Sequence, residues 1–559
     1  MLTSLKQKVV SLLKDQVPLD RKTILSSLEL PKVLEHGHLA MPMFPLAKIF
    51  KKSPQLIAQE MATQLRLPPE IEKVEAVAGY LNFHFQTFFI QKELLENITK
   101  PLPPPAQRKK IAIDFSSPNV AKPMHIGHLR ATVIGQAIYN LAKAQGHEVI
   151  GINHLGDWGV QFGKLAWAYL QWKDDYDFEN EPFESLYALY VRFHKEAEKH
   201  PEMNEAGSAM FKKLEEGDPE VQKIWKEFIY ISMQEYEKLW KQLGVHHDLV
   251  RGESFYNDRL ETVEKILEEK GLLVESEGAL VVPLDEFNLP PCLIRKKDGA
   301  SLYATRDIAS AIYRMEELKC DLNLYVVGAD QTLHFQQVFK VLEKMGYPWA
   351  KNCHHISFGM YRFKDVGKLS SRKGQIIRLD EVLEKAVQQI KTLIDEKNPS
   401  LPQKDKVAQQ VGVGAIIFND LVNDRVKDVE FNWNKALSFD GDSGPYVQYC
   451  LVRCRSILEK YQKPLPTAFS QELSSPEEKA LLRHLLNYEE TLQKAFENFK
   501  PHLVANYLLD TCKLFNHFYH KHKVLGASEE KDRLLLVFCT QKTLEKGLKI
   551  LNMEAPQAM

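Results

Sequence analysis

The spacing of hydrophobic residues in the first hundred positions predicts a small domain of mixed helix and strand. The opening MLTSLKQKVVSLLKDQV places apolar residues at helical intervals, which predicts a helix over 3–16. In KSPQLIAQEMATQL, Ser53 is a residue type that caps helices and Pro54 suits the first helical position. VEAVAGYLNFHFQ alternates and is rich in aromatics, which predicts a strand over 74–86. The prolines of PLPPPAQRKK (101–110) fit neither a helix nor a central strand and predict a linker.

After the linker, short apolar strands alternate with helices. IAIDF (111–115) is a continuous apolar run of the kind found in parallel sheets, and a helical pattern over 127–145 and a second strand, HEVIGINHL, follow it. DLNLYVVGADQ (321–331) and HFQQVFKVLEKMG (334–346) repeat this order of strand and helix. The βαβ arrangement predicts a Rossmann-type, doubly wound parallel sheet. From about residue 408 onward the pattern is helix after helix.

These patterns predict an α/β protein of three domains. A small α+β domain comes first, a parallel-sheet domain then carries a mostly helical insertion and a basic loop, and an all-α domain follows. The expected ranges are 1–105, then 106–407 with the insertion at about 165–290 and the loop at 367–375, then 408–559.

The composition predicts a soluble, cytoplasmic protein. Of 559 residues 44% are hydrophobic, and 73 Lys and Arg balance 74 Asp and Glu, so overall charge does not indicate a nucleic-acid partner. No membrane-length run of uncharged apolar residues occurs, and the N-terminus lacks the features of a targeting peptide. The seven cysteines form no CxxC pair, which predicts buried free thiols in a reducing compartment rather than disulfides or zinc ligands.

The segment SSPNVAKPMHIGHLRA (116–131) carries the first candidate chemistry. It lies between IAIDF and the following helix, where parallel sheets bind ligands, and the start of that helix offers unpaired N–H groups to an anion. Gly127 leaves room for a flat group against the backbone, and His125 and His128 add donors that suit a phosphate. The two histidines are also compatible with a metal pair or with helix caps, and these alternatives stay open.

A second polar loop, GKLSSRKG (367–374), follows a strand late in the sheet domain. It carries Lys368, Arg372 and Lys373 among small residues. A single basic loop is ordinarily a solvated surface. Two phosphate-type elements that each follow a strand of one sheet favour a nucleotide site.

Longer motifs point to a family. HIGH (125–128) and KLSSR (368–372) resemble the two signature motifs of class I aminoacyl-tRNA synthetases. HIGH alone also occurs in other nucleotidyltransferases, but an ordered set of longer strings is similar to arginyl-tRNA synthetases nearly from end to end. These strings are DFSSPNVAKPMHIGHLR, HLGDWGVQFG, LYATRDIA, GADQTLHFQQVF and GPYVQYCLVR.

The resemblance implies an arginine–tRNA ligase that acts on ATP with Mg²⁺, L-arginine and tRNA(Arg). It further implies a monomer with no zinc and no membrane partner. The N-terminal domain would contact the tRNA elbow, and the C-terminal domain would bind the anticodon. The arginine carboxylate would attack the α-phosphate of ATP, and a ribose hydroxyl of the tRNA would then take the arginyl group. Since neither step needs a protein nucleophile, positioning and charge stabilisation should supply most of the catalysis.

The resemblance also assigns residues to the reaction. The catalytic set is His125, His128, Lys122, Lys368 and Arg372, and the ATP-binding set is Gly127, Gly328, Asp330 and Ser370. The basic loop departs from the ideal KMSKS because Ser371 stands where a second lysine is expected. Arginyl-tRNA synthetases without that lysine carry one three residues before HIGH, the position of Lys122 here. We therefore predict that Lys122 supplies the missing positive charge to the triphosphate.

Recognition of arginine calls for acidic side chains in a fixed arrangement, because a guanidinium is planar and has five donors. The residues that the resemblance implies are Asp114, Asn119, Tyr303, Asp307 and Gln337. Tyr303 and Asp307 are four residues apart, so one face of a helix presents both. A lysine would also fit an acidic pocket, but without the fork geometry.

The C-terminal third contains the candidate tRNA-binding residues. By the resemblance these are Tyr446, Gln448, Tyr449 and Arg453, and aromatic rings beside cations suit single-stranded bases. Two rival readings stay open: another HIGH-bearing nucleotidyltransferase, and a synthetase-like RNA-binding protein without catalysis. The first would not need so long a helical C-terminal region, and the intact histidines, Lys122 and the two pocket aspartates argue against the second.

Overall fold

The computed structural model describes residues 1–31, 33–295, 303–362 and 377–559. The N-terminal domain packs helices against a three-stranded antiparallel sheet of order β1-β3-β2. Its elements are α1 (Leu2–Leu13), α2 (Arg21–Ser27), β1 (Leu39–Pro42), α3 (Ala47–Phe50), α4 (Pro54–Gln64), β2 (Ile71–Val77), β3 (Tyr80–Phe85) and α5 (Thr87–Ile98). The first helix and the Ser53 cap of α4 are confirmed.

The single strand predicted over 74–86 is wrong, because this segment is the hairpin β2-β3. The chain reverses at Ala78 and Gly79, whose φ angles are 50° and 83°. Gly79 adopts a left-handed conformation freely, but Ala78 does so at a steric cost, and Ala-Gly is not the Asn-Gly or Asp-Gly signal by which such turns are found in a sequence.

A five-stranded sheet forms the centre of the molecule, and all its pairings are parallel. The strand order is β11-β10-β4-β5-β6, with β4 in the middle. The strands are β4 (Lys110–Asp114), β5 (Glu148–Asn153), β6 (Leu249–Val250), β10 (Leu322–Tyr325) and β11 (Cys353–His355), and the helices that follow β4 and β10 are α6 (Ile126–Ala144) and α13 (Thr332–Lys344). The predicted doubly wound sheet is therefore confirmed.

Helices α7 to α10 lie between β5 and β6, and a small hairpin sheet, β7-β8-β9, lies between β6 and β10. Because β6 pairs with β5, the central sheet takes one strand from within the range predicted as an insertion. The elements are α7 (Val160–Trp172), α8 (Pro182–Ala197), α9 (Glu202–Glu215), α10 (Pro219–Gln242), α11 (Leu260–Glu269), β7 (Val274–Ser276), β8 (Ala279–Val282), β9 (Cys292–Arg295) and α12 (Tyr303–Ile312).

The C-terminal part is helical apart from the short strands β12 (Tyr361–Arg362) and β13 (Val429–Glu430), which pair with each other. Its helices are α14 (Leu379–Lys397), α15 (Lys404–Leu421), α16 (Trp433–Ala436), α17 (Gly444–Lys460), α18 (Pro476–Leu486), α19 (Tyr488–Glu497), α20 (His502–Lys521) and α21 (Glu530–Ile550). The helical breaks predicted near 463–479 and Gly526 are confirmed.

The N-terminal domain is docked directly on the C-terminal helices. The Gln91 side chain of α5 is fully buried, donates to the Gln471 carbonyl at 3.1 Å and accepts from the Leu473 N–H at 3.1 Å. The N-terminal amino group of Met1 forms an ion pair with Glu489 on α19. The two ends of the chain therefore form one packed unit.

Arg130 connects α6 to the region around α15. Its buried guanidinium donates through Nη1 to the carbonyls of Gly359 at 2.7 Å and Lys427 at 2.9 Å, and through Nη2 to that of Arg425 at 3.3 Å. Its Nε lies 3.0 Å from Oδ2 of Asp420, which is equally buried. One side chain thus binds three carbonyl groups and forms an ion pair with one carboxylate, in three segments of the chain.

All seven cysteines lie in the described ranges, where each is free and buried, as predicted. Among the described residues, no helix is both long and apolar enough to span a membrane. No cluster of three or more His, Cys, Asp or Glu in those same ranges is arranged to hold a metal ion.

Candidate active site

The two signature histidines cap the start of α6. His125 is the N-cap residue, and its Nδ1 accepts from the Gly127 N–H at 3.0 Å. The backbone N–H of His125 in turn donates to Nδ1 of His128 at 3.0 Å. The ring centroids are 4.0 Å apart. This reciprocal capping box satisfies two backbone donors. Helix capping, which the sequence left open as an alternative, is therefore one role of the two histidines.

Capping also fixes which ring nitrogen faces a ligand. Because Nδ1 of each ring accepts a hydrogen bond, the proton of each neutral imidazole resides on Nε2. Burial lowers the pKa of His128 to about 3, and His125 adds to the effect. Burial and the nearby Lys122 lower the pKa of His125 as well. Both rings are therefore neutral near pH 7 and each offers one N–H donor.

The histidines face a cavity of about 1120 Å³, which we call the first cavity. It brings together five residues of the catalytic and ATP-binding sets: His125, Gly127, His128, Gly328 and Asp330. They meet because β4 and β10 are neighbours in the sheet and the segments after both strands lie at the same edge. The remaining members of the two sets that belong to the basic loop, Lys368, Ser370 and Arg372, lie outside the described residues.

Gly127 packs closely against the His125 ring that caps the helix. A Cβ at this position would lie 2.7 Å from Cε1 of the His125 ring, well inside van der Waals contact. The chain beyond the basic loop is bound to the same place, because Ile126 N donates to the Ile377 carbonyl at 3.1 Å and Leu379 N to that of Met124 at 3.0 Å. The signature segment is thus held on both sides.

The Lys122 side chain lines a different cavity from the two signature histidines. Its Nζ sits 5.0 Å from the ring centroid of Tyr190, and it lines a second cavity of about 770 Å³. Other members of this wall are Trp158, Lys164 and Tyr303. Among the described residues the two cavities share no lining residue. The second cavity therefore lies beside the first as a separate candidate site.

Asp114 ends β4 and already has an arginine partner within the chain. Its Oδ2 accepts from Nη2 of Arg314 at 2.7 Å, and its Oδ1 accepts from the Ser117 hydroxyl at 2.9 Å. Both Asp114 and Arg314 are buried. Arg314 follows α12 in a short π-helical segment, Tyr313–Glu317. The negative charge of Asp114 is therefore largely compensated before any ligand binds.

Asp307 is paired with His334 instead. Its Oδ2 lies 2.6 Å from Nε2 of His334 on α13, and both side chains are mostly buried. Tyr303, one turn earlier on α12, is 63% exposed and lines the second cavity. As predicted, one helix carries both Tyr303 and Asp307.

The two remaining members of the arginine set lie in different surroundings. Oδ1 of Asn119 packs against Gly156, and a Cβ at position 156 would lie 2.2 Å from that oxygen. Gln337 is turned toward the carbonyls of Pro290 and Pro291, to which its amide donates at 3.0 Å. Gln337 lines neither cavity, and its role in arginine binding stays a prediction.

In the C-terminal domain, three of the four tRNA-binding candidates lie together. The Arg453 guanidinium stacks 4.9 Å from the Tyr449 ring and 5.7 Å from that of Tyr519, and it donates to Oδ1 of Asn516 at 2.6 Å. Asn516 also donates to the Tyr446 hydroxyl at 2.9 Å. Both Tyr449 and Tyr519 are partly exposed.

Gln448 does not belong to this surface, which corrects its prediction. Its side chain is fully buried, and its amide donates to the carbonyls of Gln410 at 3.1 Å and Glu554 at 2.7 Å. On a helix, residues 446, 449 and 453 share one side, whereas 448 points toward the neighbouring helices. The helical period alone would have separated Gln448 from the other three.

Sequence reasoning missed Arg314 and His334. Each contacts one of the predicted aspartates, Arg314 at Asp114 and His334 at Asp307. A lone arginine within AIYRM was the available signal, because buried arginines are rarely left without an acidic partner.

Comparison with known proteins agrees with this geometry. Residues 90–433 match the model of the tRNA synthetases class I (R) catalytic domain, residues 447–559 that of the DALR anticodon binding domain, and residues 3–85 that of the arginyl tRNA synthetase N terminal domain.

Full-length relatives are also similar to this chain. It is 42% identical to an arginine–tRNA ligase of Clostridium botulinum over 99% of the chain and 100% of that protein. It is 44% identical to arginine–tRNA ligase 2 of Bacillus anthracis over 97% of each. The solved structure of Thermus thermophilus arginyl-tRNA synthetase superposes with a TM-score of 0.85 at 28% identity, covering 100% of both chains.

Proposed function

The chain belongs to the arginyl-tRNA synthetase family, and we propose that it performs the reaction of that family. With ATP it activates L-arginine to arginyl-adenylate and then transfers the arginyl group to the 3′-terminal adenosine of tRNA(Arg). Two observations together support this proposal. The chain is similar to arginine–tRNA ligases over its full length, and two neutral histidines that cap α6 face one cavity.

In the first step, the arginine carboxylate attacks the α-phosphate and pyrophosphate leaves. The Nε2–H groups of His125 and His128 donate to phosphate oxygens, whose charge increases as the bond to the leaving group breaks. Neutral donors held by backbone hydrogen bonds are already aligned, so little reorganisation is needed. Mg²⁺ enters with ATP as part of the substrate, and Gly328 and Asp330 contact the nucleoside.

Lys122 adds positive charge to the triphosphate in this proposal. Lys122 lies in the turn that leads into His125. Burial lowers the pKa of His125 most, and the positive charge of Lys122 lowers it further. Lys122→Ala should reduce ATP–pyrophosphate exchange much more than tRNA binding, with Lys199→Ala, at an exposed site, as the control. Equal losses in exchange and in tRNA binding would contradict the assignment.

For arginine recognition we assign the leading role to Asp307 and Tyr303. Asp114 is already paired with the Arg314 guanidinium, so less of its negative charge is left to attract the guanidinium of the substrate. The pairing with His334 leaves Oδ1 of Asp307 for the ligand. A fixed carboxylate selects the planar fork of arginine over the point charge of lysine.

For tRNA we assign two contact regions. The second cavity, where Lys164 lies among aromatic rings next to Tyr303, suits the single-stranded 3′ end. The surface of Tyr446, Tyr449 and Arg453 suits unpaired anticodon bases, with Tyr519 as an additional ring.

A charging assay tests the function directly. Purified protein should attach arginine to total tRNA in the presence of ATP and Mg²⁺, and lysine, cysteine or glutamine should not compete. An RNA-binding protein without catalysis would bind tRNA and charge nothing. A different nucleotidyltransferase would turn over ATP without arginine. We further propose a monomer, for which sedimentation should give the mass of one 64.4 kDa chain.

A further inference from the structure

One buried carboxyl group near the arginine-binding candidates, that of Glu253, has an oxygen without a hydrogen-bond partner in the described part of the chain. Glu253 begins a short 3₁₀ helix, Glu253–Arg259, shortly after the edge strand β6. Glu253 is only 9% exposed, and the oxygen without a hydrogen-bond partner among the described residues is Oε2. Buried polar groups are normally satisfied, so an orphan carboxyl oxygen requires an explanation.

The group lies in acidic surroundings. Burial raises the pKa of Glu253 to about 8, with Arg306 opposing the shift and Asp307 and Asp157 reinforcing it. Asp157 is fully engaged, because its two carboxylate oxygens accept from the N–H and the hydroxyl of Ser254 at 2.8 and 2.6 Å. In the absence of a ligand, Glu253 therefore carries a proton at neutral pH.

Arg306 does not account for this carboxyl group. Its own Nε is buried and lacks a hydrogen-bond partner in the described part of the chain, so that nitrogen and Oε2 of Glu253 do not satisfy each other. Helix α12, which carries Arg306 and Asp307, packs against the short helix that begins at Glu253. Asp157 and Asp307 add negative charge near Glu253, and Arg306 adds positive charge. The surplus of acidic groups fits a site that receives a second cation.

We propose that Glu253 is an acidic partner of the substrate guanidinium, beside Asp307, and that arginine binding displaces its proton to solvent. This rests on the proposed function. A guanidinium has five donors, enough to reach Asp307 and the unpartnered Oε2 together. The reaction balances as a neutral Glu253 carboxyl and a cationic arginine giving a carboxylate–guanidinium pair and one released proton.

Linkage gives the pH dependence its sign. Below the pKa of the empty site, binding must expel a proton, so arginine affinity should rise about tenfold per pH unit between pH 6 and 8 and then level off. Calorimetric titration of arginine into tRNA-saturated protein without ATP, in two buffers with different heats of ionisation, should show about one proton released at pH 7.

Glu253→Gln keeps the size of the side chain and cannot ionise. This variant should bind arginine at least tenfold more weakly at pH 8, release no proton and lose the pH slope. Glu269→Gln, at an exposed position on α11, is the matched control and should behave as wild type. Arginine KM in the charging assay should follow the same pattern while kcat changes less.

The outcomes separate this inference from the function on which it rests. If wild-type protein charges tRNA with arginine but releases no proton on binding, the inference is wrong, whatever the variant does. Unchanged proton release in Glu253→Gln would overturn it too. Failure of wild-type protein to charge tRNA with arginine would instead overturn the proposed function.

Discussion

Replacing Arg130 with methionine would test how the signature helix is held in place. The guanidinium satisfies the carbonyls of Gly359, Arg425 and Lys427 and pairs with Asp420, and all of it is buried. Methionine fills much of the volume but leaves a buried carboxylate and three carbonyls without their donor. Removal of one partner of a buried ion pair costs about 3–5 kcal/mol. We expect a loss in this range.

The loss should depend on pH. Burial raises the pKa of Asp420 to about 6, although Arg130 opposes the shift. The folded protein therefore holds this proton more tightly than the unfolded chain, and Asp420 lowers stability as pH rises from about 4 to about 6. Without Arg130 the pKa rises further and the penalty extends to higher pH. The deficit of Arg130→Met should accordingly be smaller at pH 5 than at pH 8, and adding Asp420→Asn should remove that difference.

Native-state amide hydrogen exchange measures the effect where it arises. Exchange in the segments around Gly359 and Lys427 should accelerate by about 100-fold or more, since each 1.4 kcal/mol corresponds to a factor of ten. Strand β3 in the N-terminal domain serves as an internal reference. Acceleration below tenfold, or equal acceleration in β3, would refute the reasoning.

Three further changes address the ligand sites. Gly127→Ala places a Cβ 2.7 Å from the His125 ring, so it should disrupt the cap, cost about 1 kcal/mol of stability and depress ATP–pyrophosphate exchange, measured by thermal unfolding and exchange assays; a wild-type exchange rate would contradict this. Asp307→Asn removes a charge-assisted hydrogen bond of about 1.5–3 kcal/mol, so arginine KM should rise about 10- to 150-fold with a smaller change in kcat. Arg453→Ala should weaken tRNA binding in filter assays by about 1 kcal/mol or more through loss of the stack on Tyr449, and leave arginine affinity unchanged.

The parallel sheet could be predicted from sequence because its strands are buried on both faces. IAIDF and its helix show this as an uninterrupted apolar run followed by a change of period, and the structure agrees within a residue at each end. The two-residue strand β6 could not be found, because Leu249 and Val250 are too few to show any period. Its place in the sheet is fixed by pairing with β5, a contact distant in sequence.

The site was predictable where motif and topology coincide. His125, His128 and Gly328 converge because they follow adjacent strands, which the sequence pattern indicates. The pairing of Asp114 with Arg314 depends instead on packing between residues 200 positions apart, which no local pattern shows. The helix cap was predictable only in part. The sequence left capping open as one role of the histidines, but histidine is an uncommon N-cap, and the structure was needed to show that Nδ1 is the capping atom.

The docking of α5 and Met1 on the C-terminal helices has a consequence for how RNA meets the protein. The prolines at 101–105 tether the N-terminal domain, but direct contact, not the tether, sets its distance from the helical bundle. Inserting a few glycines and serines there should leave that spacing unchanged. Any RNA that contacted both the N-terminal domain and the helical bundle would have to conform to a span that the protein has already fixed.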